Sequence, residues 1–500
     1  MFVMMKAGKK SALVIGSGFS GLSAACYLAK DGYQVTVIEK NEQIGGRARE
    51  WEQDGFKFDM GPSWYWMPDV FDDFFKDFGK KTSDYYELIR LNPSYRVFFP
   101  EGICHDIPAN MSELESLFEQ LETGGAKKLR EFLKDAEQKY EAGMRDLVQK
   151  PGLSILEFAN LKVLKGLFQL DLLTPFSKFV RKYFSHPHLI QLLEFPVLFL
   201  GARPSEIPAL YSLMNYADMQ LGTWYPNGGM HQIILAMKKL AIELGVEIRT
   251  GEEIKRFEMH DHSIQTAFTQ SGRYEYDEIV AACDYQHLEQ NLLDKKYRKY
   301  SSQYWDNRTL APSCLIFYVG LNKKIQGLLH HNLFFDTDFG IHAEEIYTSP
   351  KWPENPLFYV SAPGKTDSSC APQGCENLFI LIPVAPGLKE NPEIQEHYFD
   401  MVIKRMEERT GEAIRQHIIL RRDYAYSNFV SDYHSFKGNA YGLANTLNQT
   451  AILKPKMQSN KVKNLTYTGQ LTVPGPGVPP SLISGKIAAG LIHKKNQSHA

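Results

Sequence analysis

Cysteine is scarce. Cys26, Cys104, Cys283, Cys314, Cys370 and Cys375 are scattered over 500 residues, and only CAPQGC brings two of them close. That spacing fits no common zinc pattern, and the fifteen histidines, His186 and His188 of SHPHL included, show no metal spacing on a recognisable helix. No metal is expected, and the thiols read as reduced, in a cytosolic protein. Charge of one sign is also lacking: 56 Lys and Arg stand against 58 Asp and Glu, a net charge of −2. No global field recruits nucleic acid, and any electrostatic partner must be met by a local patch. Long hydrophobic runs are missing as well, since no window reaches about 18 uninterrupted apolar residues. The N-terminal MFVMMKAGKK has five residues before its first charge, too short for the apolar region of a signal peptide. Any membrane contact must therefore be peripheral. Apolar residues make up 43% of the chain, as in an ordinary globular protein, and the length allows two or three folding units.

What is present begins at residue 11. Ser11 to Ile15 is a short apolar run before a glycine turn, Leu22, Ala25, Leu28 and Ala29 recur at helical spacing until Gly32, and Tyr33 to Ile38 alternates with β-branched residues. The unit reads strand, turn, helix, strand. In that context Gly16, Gly18 and Gly21 form a GxGxxG turn: Gly16 for the tight bend, Gly18 for close approach of a pyrophosphate, Gly21 for helix-on-strand packing. Glu39 follows about where an acid binds the adenosine ribose hydroxyls. After it, Gly45, Gly46 and Arg47 bring amides and a guanidinium to a second part of an extended cofactor.

The whole run resembles the FAD-binding signature of the amine oxidase and carotenoid desaturase superfamily, with Ala25, Leu28, Gly32, Val35 and Val37 in the family's set places. The late segment NLTYTGQLTVPGPGVPPSLISGKIAAG offers a short strand at Leu465 to Tyr467, flexible glycines at 475 and 477, and a helix expected from Ser481 behind Pro479 and Pro480. Its N-terminus would stabilise negative charge on a reduced flavin. This terminus resembles that of the bacterial phytoene desaturases of the CrtI-type carotenoid desaturase family. FDMGPSW (58–64), GTWYPNGGM (222–230), GVEIRTGEEIKRFE and SFKGNAYGLANTLNQTAILKP (435–455) are similar to further family segments. The resemblance implies FAD contacts from Gly16, Gly18, Phe19, Ser20, Gly21, Glu39, Lys40, Gly46, Arg47, Gly61, Pro62, Ser63, the backbone of Ile254, Gly469, Gln470, Gly477, Val478 and Pro479. One departure stands out: relatives in the wider superfamily often carry an acid after the late glycine, where this chain has Gln470, an amide that still hydrogen-bonds.

The implied architecture is α/β: a discontinuous, doubly wound Rossmann-like FAD domain (1–88, 222–300 and 456–500) and a substrate domain mixing sheet with helices (89–221 and 301–455). Within the latter, 161–182 places Leu161, Leu164, Phe168 and Leu172 on one stripe, with Lys162, Lys165, Lys178, Arg181 and Lys182 beside a lone Asp171. That pattern suits either a helix lying on an anionic bilayer or a buried helix with snorkelling lysines, and an insoluble polyene substrate favours the first. An apolar tunnel would open there, with Trp64, Tyr65, Trp66 and Met67 as candidate lining; FPVLFLG (195–201) is ambiguous between lining and core.

The function expected is phytoene desaturation. A hydride passes to flavin N5, an allylic cation loses a proton, and electrons go on to oxygen or a quinone, in a cytoplasmic enzyme peripherally bound to membrane. Glu157, in LSILEF, is the candidate carboxylate for the proton by resemblance. The alternatives are a 1-hydroxycarotenoid 3,4-desaturase, a carotenoid isomerase or, from another class, a lipid carrier like the GDP-dissociation inhibitors.

Overall fold

The structure, a computed structural model, describes residues 10–154, 157, 174–198 and 201–497. Residues 161–173 of the basic amphipathic stretch, with Leu161, Leu164, Phe168 and Leu172 of the stripe, lie outside the described residues, as do residues 199 and 200.

β1 (Ser11–Ile15), α1 (Phe19–Lys30) and β2 (Gln34–Ile38) form the expected unit. β1 is central in a five-stranded parallel sheet ordered Leu465–Tyr467, Glu278–Ala281, β1, β2, Glu247–Arg249. Helices cover this sheet, so its inner strands read as continuous apolar runs rather than alternating ones. α1 buries Leu22, Ala25 and Leu28 and lies against the C-terminal helix, Val478–Gln497, closely enough that a Cβ at Gly485 would meet the Ser20 carbonyl oxygen at 2.4 Å. That helix starts at Val478, not Ser481. Pro479 and Pro480 fall in its first turn, where a missing N–H and a fixed φ cost nothing.

A second sheet of seven strands runs Ile418–Tyr424, Ser313–Leu321, Glu376–Val384, Phe358–Ser361, His331–Phe334, Tyr95–Phe98, Cys104–Ile107, with one parallel pair, His331–Phe334 beside Tyr95–Phe98. Both its faces are buried. Along Ser313–Leu321, Leu315, Phe317 and Val319 pack under the helix Pro392–Thr410, whereas Cys314, Ile316 and Tyr318 face the opposite way, into the largest apolar cluster. Phe56, Phe58 and Trp66 join that cluster from the N-terminal segment. Beyond the first part of the amphipathic stretch, the short helix Phe176–Val180 turns Phe176, Phe179 and Val180 into the same cluster, and Arg181 pairs with Glu194. Among the described residues no helix is long and apolar enough to cross a membrane.

Candidate functional site: a cofactor cleft and an apolar cavity

The carboxyl ends of β1 and β2 open into a cleft of about 1160 Å³, part of it open to solvent. Its floor is backbone. Gly16, at φ +104°, donates its N–H to the Ile38 carbonyl at 2.8 Å, and a Cβ there would press on the Ala282 backbone at 3.2 Å. Gly18 faces space: an added Cβ finds only the Gly45 carbonyl oxygen, 4.0 Å away. Gly21 does not line the cleft; its Cβ would lie 2.0 Å from the Gly16 carbonyl oxygen, so it sets how closely α1 packs on the turn. α1 has no side-chain cap and no acid in its first turn, which leaves its amides and dipole free for an anion.

Glu39 closes one end. Its Oε2 accepts from the Ser17 amide at 3.0 Å and hydroxyl at 2.7 Å, and its Oε1 from the Asn41 backbone and side-chain amides, each at 3.0 Å. Arg47 enters from the wall, with Nη2 donating to Ser435 Oγ at 3.0 Å while its buried Nε has no partner. Burial lowers its pKa from the ordinary arginine value, against the opposing pull of Tyr433, Asp284 and Tyr424. With its amide oxygen turned to Arg47, Gln470 accepts from Nη2 at 3.0 Å and donates to the Tyr441 carbonyl at 3.3 Å. Ser20, Lys40, Gly46, Ile254 and Gly469 also line the cleft, Ile254 from the loop after Glu247–Arg249 rather than from the strand.

A second cavity, of about 1480 Å³ with part of it open to solvent, meets the cleft at Phe19, Arg47, Pro62, Gln470 and Ser481, which line both. Gly61, Ser63, Gly477, Val478 and Pro479 border it, with Trp64, Trp66, Met67, Met214, Ile316, Leu381 and Phe429. Tyr65 does not. Strand-like alternation turns it the other way, fully buried, stacked on Phe71 and hydrogen-bonded to Tyr86 at 2.9 Å. Through Tyr359, Leu381 and Tyr441 this cavity adjoins an apolar chamber of about 680 Å³, a volume that includes space open to solvent, lined by Leu333, Phe335, Phe339, Ala343, Ile346 and Leu357.

Glu157 lies at neither place. Its carboxylate accepts the Gly152 and Leu153 amides, both at 3.0 Å, and is spent as a local cap. Sequence reasoning missed the cleft's far wall. There His434 donates its Nε2–H to Glu253 Oε1 at 2.9 Å and stacks on His287 at 3.9 Å, and Tyr433 covers Arg47. These residues arrive from distant segments, and no local spacing marks them.

A sequence model of flavin containing amine oxidoreductases matches residues 19–493. The chain belongs to that family. It is 41% identical over 477 residues to a carotenoid 3,4-desaturase of Haloarcula japonica, covering 95% of this chain and 96% of that protein. It is 30% identical over 483 residues to a zeta-carotene-forming phytoene desaturase of Myxococcus xanthus, covering 95% and 92%. In fold it resembles an oxidoreductase from Methanosarcina mazei, with a TM-score of 0.63 at 17% identity over 95% and 99% of the two chains. The cofactor is FAD. The open cradle at Gly18, the uncapped amides of α1 and the unpartnered Nε of Arg47 all fit it.

Proposed function

We propose that the protein is an FAD-dependent carotenoid desaturase. The observation that carries this reading is an apolar cavity that begins at the cofactor cleft and continues past Tyr359 and Tyr441 into a further apolar chamber, a shape suited to a long hydrocarbon. Identity of 41% to a 3,4-desaturase against 30% to a phytoene desaturase supports a later acyclic carotenoid as substrate over phytoene, the expectation from sequence. The buried Nε of Arg47, without a partner beside the cleft, speaks against a lipid carrier that has lost its flavin.

Bound FAD supplies the electron-pair acceptor that no side chain provides. The protein's residues hold the polyene against that cofactor, and Trp64, Trp66, Met67 and Phe429 give it an apolar wall. The uncharged first turn of the Val478–Gln497 helix directs its positive end to the cofactor side of the cavity. An allylic cation is itself strongly acidic, so the proton needs no strong base. The substrate would come from a membrane surface, and oxygen or a quinone would take the electrons.

The test is to give FAD-loaded protein phytoene, and separately acyclic 1-hydroxycarotenoids, in liposomes with an electron acceptor, and to follow visible spectra and chromatography. Longer-wavelength polyene bands establish desaturation, and the substrate that yields them chooses between the two. Failure with every carotenoid while dithionite still bleaches the flavin overturns the reading.

A further inference from the structure

Behind the aromatic wall of the second cavity lies a carboxylate that the reaction as described does not use. Asp218 is 1% exposed, within the helical turn Tyr216–Leu221. Its Oδ1 accepts from Thr223 Oγ1 at 3.0 Å and its Oδ2 from the Tyr95 hydroxyl at 2.8 Å. Thr223 Oγ1 in turn accepts the indole N–H of Trp66 at 2.8 Å, and the Trp66 ring lines the cavity. Donors therefore run in one direction, from a ring that faces the substrate space to a buried anion. Among the described residues no ion pair neutralises that anion. Arg90, the nearby cation, is spent on the Leu221 and Ala109 carbonyls and on the face of Trp224.

A buried, unpaired carboxylate is costly, and an asparagine would accept one of these hydrogen bonds and donate to the other hydroxyl without the charge. The charge has a use if positive charge forms nearby. Aromatic faces attract cations, and an indole whose N–H is drawn toward an anion presents a more electron-rich face. Resting on the desaturase reading, we propose that Asp218 is a positioning residue which, through Thr223, orients and polarises Trp66 so that its ring stabilises the positive charge developing on the polyene. As the first C–H bond gives up its hydrogen with both electrons to the cofactor, its carbon becomes cationic. The neighbouring carbon then loses a proton to water, and the electron pair left behind becomes the new double bond.

Burial pushes the Asp218 carboxyl up to about 6, against the opposing hydrogen bonds of Tyr95, Thr223 and Trp66 and the attraction of Arg90. Of those facing groups, Tyr95 is raised well above the ordinary phenol and Arg90 stays charged, so neither titrates near 6. Asp218 is thus anionic above about 6 and neutral below it.

Two readouts on the holoenzyme test this. In single turnover with an accepted carotenoid, the wild-type rate of cofactor reduction should fall as pH drops through about 6. Asp218→Asn should be roughly tenfold slower at pH 7.5 and flat with pH, with substrate affinity unchanged. Thr223→Val, which keeps the charge but removes the hydroxyl that accepts the indole N–H, should be slowed as well. In protein labelled with 15N-tryptophan, the Trp66 indole resonance, assigned by its loss in Trp66→Phe, should shift across pH 5 to 7 and stop shifting in Asp218→Asn. A wild-type pH profile retained by Asp218→Asn overturns the proposal, and so does a Trp66 resonance that does not move with pH in wild-type protein. Failure of the wild type to oxidise any carotenoid would instead overturn the desaturase reading, and the indole titration still reports on the link to Asp218.

Discussion

The two sheets build binding sites by opposite means. On the parallel sheet the cleft is made of backbone: glycines at fixed intervals, amides at the start of α1 and one acid at the end of β2. On the seven-stranded sheet the cavity is made of side chains, Trp64, Trp66, Ile316, Leu381 and Phe429, brought together from segments hundreds of residues apart. A backbone site depends on where a Cβ is absent, whereas a side-chain site depends on which volumes are present. The first tolerates almost no change at a few positions; the second tolerates graded change at many.

Two glycines in one turn give the sharpest contrast. Gly21→Val puts carbon against the Gly16 carbonyl, which would have to move by more than an ångström, so the variant should fail to fold to soluble, yellow protein. Gly18→Val meets only open space in the protein itself, so it should fold with nearly the wild-type melting temperature and yet purify colourless. A yellow Gly18→Val protein would mean that the cleft does not hold a pyrophosphate at that turn. Arg47→Met should come next in size. Losing the buried guanidinium should weaken FAD binding roughly ten- to a hundredfold, read as flavin released on dialysis, while the chamber lined by Phe339, Ala343 and Ile346 keeps its shape.

On the side-chain half, Ala343→Trp fills the outer chamber from the helix Phe339–Tyr347. Flavin content and dithionite bleaching should stay as in wild type, while turnover of full-length carotenoids falls about tenfold and shorter polyenes are spared. Equal loss on long and short substrates would show that the chamber does not receive the chain end.

The same division explains what the sequence discloses. β1, α1, β2, Glu39, the GGR segment and the late glycine loop are legible because their geometry is local, set by residues within about thirty positions of each other. Asp432 to His434, which close the cleft over Arg47 and Glu253, are illegible because a long excursion of chain delivers them. Trp64 to Met67 fall between. Their aromatic character marks a wall, and the two-residue period separating Trp64 and Trp66 from Tyr65 follows from an extended backbone, although four adjacent candidates give no hint of it by composition.

Glu157 is the place where resemblance and geometry part, and the smallest expected effect tests it. With both carboxylate oxygens holding the amides of Gly152 and Leu153, Glu157→Gln keeps one acceptor and loses the other. The cost should be about 1 kcal/mol of stability, seen as a melting-temperature drop of a few degrees. The pH profile of cofactor reduction should not change, since a carboxylate tied to backbone away from both cavities receives no proton from the polyene. A fall in turnover of a hundredfold or more, with flavin retained, would mean that the segment around Glu157 swings into the cavity when substrate binds, and that this half of the molecule assembles its chemistry only around its ligand.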